Sequence, residues 1–342
     1  MFNTVVKLQE TNPPTALISP LSIAPMIDWT HTHFRLGMRL IAPRALLYTD
    51  MQTIGAIINN PTRALSFQTL EHPLALQLGG ADKKGLVYCA KLAEEKGFAE
   101  INLNLGCPSD RVQAGRFGAC LMKEPELVVE CIDALKQAVS IPVTAKIRIG
   151  IDHQDSYEFF SSFAHKLVGA GCSKLIVHAR KAWLHGLSPK QNRTVPPVHY
   201  DFVYKIKEEL PRIPIVINGN IQTWQEIEQH RHYVDGVMLG RLACNNPYAL
   251  ASIHQKFYPE IPIPTRYEIL QTYIDHVRLQ FESGIALSLL LKPIFNLAHG
   301  LPGAKSWKER LVQIQQLKQI EKLNEAAILL AEMESYSLVE AF

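Results

Sequence analysis

Eight short apolar segments recur along the chain, and a helix-like stretch separates most of them from the next. Strands that alternate with helices favour a parallel sheet, because a parallel connection must cross over before the next strand begins. Eight such units before the pattern changes predict a closed (β/α)8 barrel, that is, a TIM barrel. The predicted strands are Leu21–Pro25, Ala45–Thr49, Leu74–Leu78, Glu100–Leu105, Val143–Ile147, Lys174–Val177, Ile215–Asn218 and Gly236–Leu239.

An open, doubly wound sheet is the alternative to the barrel. Its dinucleotide-binding form carries Gly-x-Gly-x-x-Gly directly after the first strand. No such motif follows Leu21–Pro25, so the closed barrel is favoured. The predicted helices between strands are Ala81–Lys96, Glu124–Ala138, Ser156–Gly169 and Asp201–Leu210, with a capping box at Thr223 and Glu226.

The pattern changes at Tyr258–Pro264, where three prolines fall within six residues and indicate a linker. The chain beyond it is typical of a small helical bundle. We therefore predict a catalytic barrel over 1–257, a linker over 258–264 and a helical domain over 265–342. Two predicted helices of that domain open at capping boxes, one at Thr265 and Glu268 and the other at Ser306 and Glu309. A further helix covers Ile285–Ala298, with Pro293 as a kink or a boundary, and another covers Glu321–Glu334.

Composition excludes several classes of protein. The formal net charge of +3 over 342 residues does not indicate a nucleic-acid binder, although a local basic surface remains compatible with it. The six cysteines form no CxxC pair, which argues against a disulfide framework or a zinc site and favours a reducing cytoplasm. The longest apolar run near the end, Ile285–Leu291, is too short to span a bilayer, and residues 1–20 lack a secretory pattern. His31-Thr32-His33 has no third ligand nearby, so no metal is predicted.

The carboxyl ends of all barrel strands meet at one mouth, where barrel enzymes place their chemistry. Lys146 interrupts an otherwise apolar strand, and a buried lysine is costly unless an anion or an acceptor meets it. Gln77 and His178 each have an ordinary alternative as satisfied structural groups. The strand ends also supply Ala24, Pro25 and Met26, Asn102 and Asn104, Cys107, Arg148, Arg180, Asn218, Gly219 and Asn220, and Gly240 and Arg241.

Three of these ends have a more specific character. Gly106-Cys107-Pro108 holds a thiol on a bend that glycine tightens and proline stiffens. Glycines and a cation after the seventh and eighth strands are typical of barrel phosphate sites. Together the strand ends indicate a mouth for a phosphorylated, polar, planar ligand.

The strand-end motifs resemble the tRNA-dihydrouridine synthases over nearly the whole chain. Three further segments, Gly186–Lys190, Asn192-Arg193 before Pro196-Pro197, and His299–Ala304, resemble the bacterial A-type enzymes in particular. The motifs that carry the family resemblance are Ala24-Pro25-Met26, Asn102 to Pro108, Lys146 to Gly150, His178-Ala179-Arg180 and Gly240-Arg241.

The resemblance implies a flavoprotein in which NADPH, or alternatively NADH, reduces FMN. The flavin then gives hydride to C6 of a uracil, and Cys107 gives a proton to C5. A thiol is mostly protonated at neutral pH and suits that task. Lys146 is implied to face the pyrimidine edge of the flavin and to stabilise its anionic reduced form.

Other residues are implied to hold FMN. The family has a second glycine where this chain has Asn220, and asparagine is the best non-glycine residue if the backbone needs a positive φ there. The implied cofactor residues beside Lys146 are Ala24, Pro25 and Met26 along the ring, Gln77 and His178 on the ring or its tail, and Asn218, Gly219, Asn220, Gly240 and Arg241 at the phosphate.

The implied substrate is a uridine in the D-loop of tRNA, around positions 20 and 20a, which must leave its stack to reach a flavin. Asn104 is implied to hold the base, with Arg148 and Arg180 near its phosphate or ribose. The loop 179–200 adds Lys190 and Arg193 and carries no acidic residue. Lys305, Lys308 and Arg310 are implied to form a second tRNA contact. We expect a cytoplasmic monomer.

Three other functions stay open at this stage. A flavin barrel that reduces a free pyrimidine or another small molecule would share the phosphate site and the lysine, but it leaves the basic loop unexplained. Lys146 forming a Schiff base, as in barrel aldolases, is a second. A tRNA-binding protein without catalysis is the third, and Cys107 with Lys146 argues against it.

Overall fold

The computed structural model describes residues 19–339, with side chains described to Tyr336. These residues form two compact units. The barrel unit comprises residues 19–30 and 45–240, and the helical unit comprises residues 31–44 and 241–339.

The barrel unit is built on parallel strands. Among the described residues the pairing order is β2-β1-β9-β8-β7-β6-β5-β4-β3, and β2 also pairs with β4, which closes an eight-stranded barrel and leaves β3 as a short addition to β4. All eight predicted strands are confirmed, whereas β3 was not predicted. The strands are β1 Leu21–Ile23, β2 Leu46–Tyr48, β3 Gln52–Thr53, β4 Leu74–Gly79, β5 Glu100–Leu105, β6 Val143–Arg148, β7 Leu175–His178, β8 Ile215–Asn218 and β9 Gly236–Leu239.

Burial on both faces explains why these strands read as continuous apolar runs. Alternate positions contribute to one cluster of buried side chains that includes Tyr48, Ile176, Val216 and Met238. The intervening positions of β5, such as Leu103, are fully buried as well. The polar residues of the interior therefore stand out against an apolar background.

Helices of the barrel unit begin and end where local signals predict. Gly97 ends α4 with φ of 91°, and Thr223 with Glu226 forms the capping box of α9. The helices are α2 Ile54–Asn59, α3 Pro61–Ala64, α4 Lys83–Lys96, α5 Asp110–Ala114, α6 Pro125–Ala138, α7 Tyr157–Gly169, α8 Tyr200–Glu209 and α9 Trp224–Arg231.

The helical unit confirms a bundle-like C-terminal region and the capping box at Thr265 and Glu268. Residues 258–264 contain no helix or strand, and the division of the chain at that segment stays a prediction. None of the helices between residues 19 and 339 combines the length and apolar character needed to cross a membrane. The helices are α1 Thr32–Ile41, α10 Arg241–Asn245, α11 Ala249–Phe257, α12 Arg266–Glu282, α13 Leu287–Leu291, α14 Ala304–Leu317 and α15 Leu323–Val339.

Two helix predictions in this unit are wrong. The segment Ile285–Ala298 is not one helix, because α13 ends at Leu291 and Pro293 lies in a 3-10 turn. Helix α14 starts at Ala304 instead of at a Ser306 cap, since Gly303, at φ of 82°, turns the chain into the helix earlier.

Candidate active site

The bend after β5 holds Cys107 by its backbone. The Asn104 carboxamide oxygen Oδ1 accepts hydrogen bonds from the amides of Gly106, at 3.2 Å, and Cys107, at 3.0 Å. The Cys107 carbonyl accepts from the amide of Ala119 at 2.9 Å. The thiol itself is half-buried, with Sγ 3.7 Å from Ser109 Oγ. The bend predicted from Gly106-Cys107-Pro108 is therefore a fixed turn that carries a half-buried cysteine.

Gly118 is part of this arrangement. Its φ is 79°, and a Cβ added there would lie 2.5 Å from the Cys107 carbonyl oxygen. Only glycine allows the chain to pass this close. The segment from Cys107 to Ala119 thus closes back on the cysteine.

Gln77, on β4, lies beside Asn104 in the barrel interior. Its Oε1 accepts from Asn104 Nδ2 at 2.8 Å, and its Nε2 donates to Asn102 Oδ1 at 2.8 Å. The Gln77 side chain is 1% exposed. Gln77 therefore has the satisfied partners expected of a structural group, and its contact with a flavin stays a prediction.

Lys146 lies next to Asn104 across the β5–β6 pairing. Its Nζ donates to Asn218 Oδ1 at 3.1 Å, and Asn218 Nδ2 donates in turn to the Met238 carbonyl at 2.8 Å. Burial, and after it the charge of Arg148, lowers the pKa of Lys146 to about 7. The partner of this amine is an amide oxygen rather than a carboxylate, so an anion brought close to Nζ would favour its charged form.

Arg148 and Arg180 are placed differently from the expectation that they reach RNA. Arg148 is 4% exposed, and its guanidinium donates to the carbonyls of Gly106, Lys181 and Asn192 at 3.1, 3.1 and 2.9 Å. Burial, with Arg193 and Arg180 nearby, lowers the pKa of Arg148 to about 10, so it stays protonated at neutral pH. Arg180 is buried as well and donates to the Pro196 carbonyl. Both hold loop backbone, and their contact with RNA stays a prediction.

Gln113, which was not predicted, joins the loop after β7 to the bend of Cys107, whereas the Asn192 side chain holds that loop together from within. Gln113 Nε2 donates to the carbonyls of Pro108, at 3.0 Å, and Leu184, at 2.6 Å. Asn192 is fully buried, and its amide group bonds the backbone of Trp183 and Leu187. Neither residue follows a strand, so the strand-end rule could not find them. Lys190 and Arg193 of the same loop are exposed.

The turn after β8 has the geometry that the phosphate prediction needs. Gly219 has φ of 128° and Asn220 has φ of 59°, so the backbone at the asparagine does have the positive φ that this residue tolerates best after glycine. A Cβ on Gly219 would lie 2.9 Å from Cδ2 of the buried His178. Successive amides in such a turn can face an anion, and Arg241 follows Gly240 as the first residue of α10.

These features fit FMN. Backbone amides near Gly219 and Asn220 suit its phosphate, and the amine of Lys146 suits a ring that becomes anionic on reduction. A Cβ on Gly240 would meet Ala24 and Met26 at ordinary contact distances of 3.6 and 3.8 Å, so the first and last strand ends lie side by side. Between residues 19 and 336, no group of three His, Cys, Asp or Glu side chains is placed to hold a metal ion.

The helical unit carries the other predicted RNA contacts on α14. The Lys305 side chain is 91% exposed and lies 3.8 Å from Glu309. Lys308 lies over the Phe295 ring at 5.8 Å, and Arg310 lies 3.9 Å from Glu325. The Lys305 pair is long and solvent-exposed and contributes little energy, so this cation can turn to a phosphate at low cost, whereas Lys308 and Arg310 are half-buried.

Comparison with known proteins gives a consistent result. The family model of the dihydrouridine synthases matches residues 22–332. A tRNA-dihydrouridine(20/20a) synthase of Shewanella oneidensis is 50% identical over 291 residues, covering 85% of this chain and 87% of that protein. An enzyme of the same name from Yersinia pestis is 46% identical, and the match covers 87% of this chain and 87% of that protein. Another from Synechocystis is 47% identical, and the match covers 86% of this chain and 89% of that protein.

Among solved structures, a 2-naphthoyl-CoA reductase in complex with 2-naphthoyl-CoA superposes with a TM-score of 0.55 at 8% identity. The match covers 72% of this chain and 51% of the reductase chain. At that identity the likeness concerns the fold alone.

Proposed function

Because this chain belongs to the dihydrouridine synthase family, we propose that it reduces the C5–C6 double bond of uridine in the D-loop of tRNA, at positions 20 and 20a. The observation that carries the proposal is the pairing of a fixed, half-buried thiol on the bend after β5 with a desolvated amine on β6. Cys107 follows Asn104, which is in register with Lys146.

FMN, when bound, supplies the hydride that adds to C6 of the uracil. The residues proposed to hold it are Lys146 at the pyrimidine edge, His178 and Gln77 at the ring or tail, and the turns at Gly219-Asn220 and Gly240-Arg241 at the phosphate. The pKa of Lys146 near 7 leaves the amine poised to gain a proton as negative charge approaches.

Cys107 completes the reduction. Its Sγ gives a proton to C5 of the uracil, so that hydride and proton together saturate the double bond. The Asn104 carboxamide is committed to the Gly106 and Cys107 amides on its oxygen side and to Gln77 on its nitrogen side. The second Nδ2 proton is the group proposed to meet the base, at an oxygen of the uracil.

Several parts of the proposal concern partners and setting. The reductant that restores the flavin is proposed to be NADPH, with NADH as the alternative. The protein is proposed to work in the cytoplasm as a monomer. Lys190 and Arg193 in the loop after β7, and Lys305, Lys308 and Arg310 on α14, are proposed to meet the tRNA backbone.

A direct experiment separates this function from reduction of a free pyrimidine, which the same barrel mouth would also suit. Purified protein is loaded with FMN, reduced with NADPH, and given either an unmodified tRNA transcript or free uracil. We expect dihydrouridine to form in the transcript, and we expect no dihydrouracil to form from free uracil. Protein that takes up no FMN, or that reduces uracil as well as the transcript, would contradict the proposal.

A further inference from the structure

A line of buried polar side chains crosses the interior of the barrel unit, where barrels ordinarily pack branched apolar residues. It starts at Glu100, which is fully buried. Its Oε2 lies 2.5 Å from Lys174 Nζ, and its Oε1 accepts from the hydroxyls of Tyr48, at 2.9 Å, and Thr144, at 2.5 Å. With three donors aimed at it, this carboxylate serves only as an acceptor.

From Glu100 the line continues toward the mouth through side-chain amides. Asn102 Nδ2 donates to Thr144 Oγ1 at 2.9 Å, Gln77 Nε2 donates to Asn102 Oδ1 at 2.8 Å, and Asn104 Nδ2 donates to Gln77 Oε1 at 2.8 Å. The line ends where Asn104 Oδ1 accepts from the Gly106 and Cys107 amides. We call these residues the polar ladder: Glu100, Thr144, Asn102, Gln77 and Asn104.

Every bond of the polar ladder points the same way. The single hydroxyl proton of Thr144 is used on Glu100, the shorter of its contacts, because the Ile101 carbonyl lies at 3.3 Å. The Thr144 oxygen can then only accept from Asn102, which leaves the Asn102 oxygen for Gln77 and the Gln77 oxygen for Asn104. Consequently the oxygen of Asn104, and not its NH2 group, faces the amides of the cysteine bend.

A reversed carboxamide at Asn104 would place N–H donors against N–H donors. An unsatisfied donor of this kind costs about 1–3 kcal/mol when buried, which is enough to open the turn that holds Cys107. The orientation of Asn104 is thus favoured from both ends, by the amides of the bend and by the Glu100 carboxylate at the far end of the line, and bonds in such a line also polarise one another.

We propose that Thr144 and Asn102 are positioning residues for the reaction. Because Glu100 only accepts hydrogen bonds, the bonds of Thr144 and Asn102 can run in one direction only, and this keeps the Asn104 oxygen facing the bend that carries Cys107. This inference rests on the proposed function of Cys107. It assigns a role to Glu100 and Thr144, which lie away from the mouth end of their strands, and it gives Asn102 a positioning role.

The test uses Thr144→Val, which keeps the side-chain shape and removes the hydroxyl. Thr144→Ser restores the hydroxyl, and Ser22→Ala is the matched control, because Ser22 is a buried barrel hydroxyl outside the polar ladder that donates to the Val237 carbonyl at 3.3 Å. Two quantities are measured: kcat for an unmodified tRNA transcript, and the rate at which iodoacetamide alkylates Cys107 in protein without FMN, followed by peptide mass spectrometry.

We expect Thr144→Val to lower kcat about tenfold or more at unchanged KM for tRNA, since small misplacements of a reacting group have effects of this size. The alkylation rate of Cys107 should rise several-fold because its bend is loosened. Thr144→Ser should restore both quantities, and Ser22→Ala should change neither. If Thr144→Val does not fold, Thr144→Ala, which adds no volume, carries the same expectation.

Parental kcat and parental alkylation in a folded Thr144→Val or Thr144→Ala protein would overturn the inference and leave the polar ladder as a feature of stability only. A failure of the proposed function looks different. In that case the parent protein loaded with FMN would itself form no dihydrouridine in the tRNA transcript, whatever the Thr144 variants do to alkylation.

Discussion

The bend of Cys107 and the exposed face of α14 differ in how their functional groups are held. Cys107 is fixed by backbone hydrogen bonds to Asn104 and Ala119, and Arg148 and Gln113 tie the neighbouring loop backbone. Lys305, by contrast, projects into solvent beside a carboxylate at 3.8 Å. The bend of Cys107 holds a reacting group in a fixed position, whereas α14 presents positive charge to solvent.

The difference predicts which kinetic quantity each region controls. Chemistry at a single carbon needs a donor placed to within a fraction of an ångström, whereas attraction of a polyanion needs only charge near the surface. Substitutions at the barrel mouth should therefore change kcat, and substitutions on α14 should change the KM for tRNA and its dependence on salt.

The largest effect is expected at the thiol. Cys107→Ala should lower kcat for dihydrouridine formation by about 10²–10⁴-fold, the range typical of general acids, with FMN content and tRNA affinity retained. Cys120→Ala is the matched control, because that half-buried thiol donates to the Phe117 carbonyl in the same segment. Single-turnover assays measure both variants. Equal losses in the two proteins would mean that the segment responds to any cysteine change.

The next largest effect is expected at the amine of Lys146, and it is measured as the free energy of unfolding of protein without FMN. The pKa of Lys146 is about 7 in the folded chain against an ordinary value of 10.5 for a lysine amine. Between those values the unfolded chain binds more protons, so the Lys146 contribution makes stability rise with pH from about 7 to about 10.5. Below pH 7 both states are protonated and the cost of the buried charge is fully present.

Lys146→Met should therefore be more stable than the parent protein at pH 6, and the gap should narrow toward pH 10. Urea unfolding at a series of pH values measures the difference, in which the titrations of all other groups cancel. Lys96→Met, at the exposed end of α4, should leave the pH dependence unchanged. A gap that stays constant with pH would show that Lys146 is solvated.

A smaller effect is expected at the turn after β8. A side chain in the left-handed region costs about 1–2 kcal/mol and more when it is β-branched. Asn220→Val should lower the free energy of unfolding by that amount and weaken FMN binding, because φ at this position is 59°. Asn220→Gly should preserve both. Fluorescence titration with FMN and urea unfolding are the measurements, and tight FMN binding by Asn220→Val would separate this turn from the phosphate.

The smallest effect is expected on α14. Lys305→Ala and Lys308→Ala should each raise KM for tRNA a few-fold and reduce the slope of log K against log salt by about 0.7–0.9 for each phosphate that is no longer neutralised. Steady-state assays between low and high salt measure this, with Lys96→Ala as the control at the exposed end of a barrel helix. A change in kcat at constant KM in the Lys305 and Lys308 variants would contradict the proposed difference between α14 and the barrel mouth.

Much of the fold could be predicted because the strands are short apolar runs bounded by turn residues. The left-handed Asn220 was predictable as well, since few other residues tolerate that backbone. Helix α14 was misplaced because Ser306 and Glu309 satisfy a capping pattern, while the turn at Gly303 depends on a conformation that the pattern does not record. Local sequence patterns alone cannot decide which of two possible starting residues a helix uses.

The site was predictable only in part, for a physical reason. Position at a strand end identified Cys107 and Lys146, but it says nothing about which polar groups satisfy one another. Arg148 was predicted to face RNA, yet three carbonyls surround its guanidinium. Glu100 and Thr144 lie near the amino-terminal ends of β5 and β6, away from the mouth, and their role depends on cross-strand neighbours, which no linear pattern contains.

The most direct test of the central claim is a mass-spectrometric map of dihydrouridine in tRNA from cells that lack this chain, complemented with the parent or with Cys107→Ala. We predict that D-loop dihydrouridine at positions 20 and 20a is absent without the chain, returns with the parent and does not return with Cys107→Ala. Full dihydrouridine at both positions in cells without the chain, or in cells with only the Cys107→Ala protein, would contradict it.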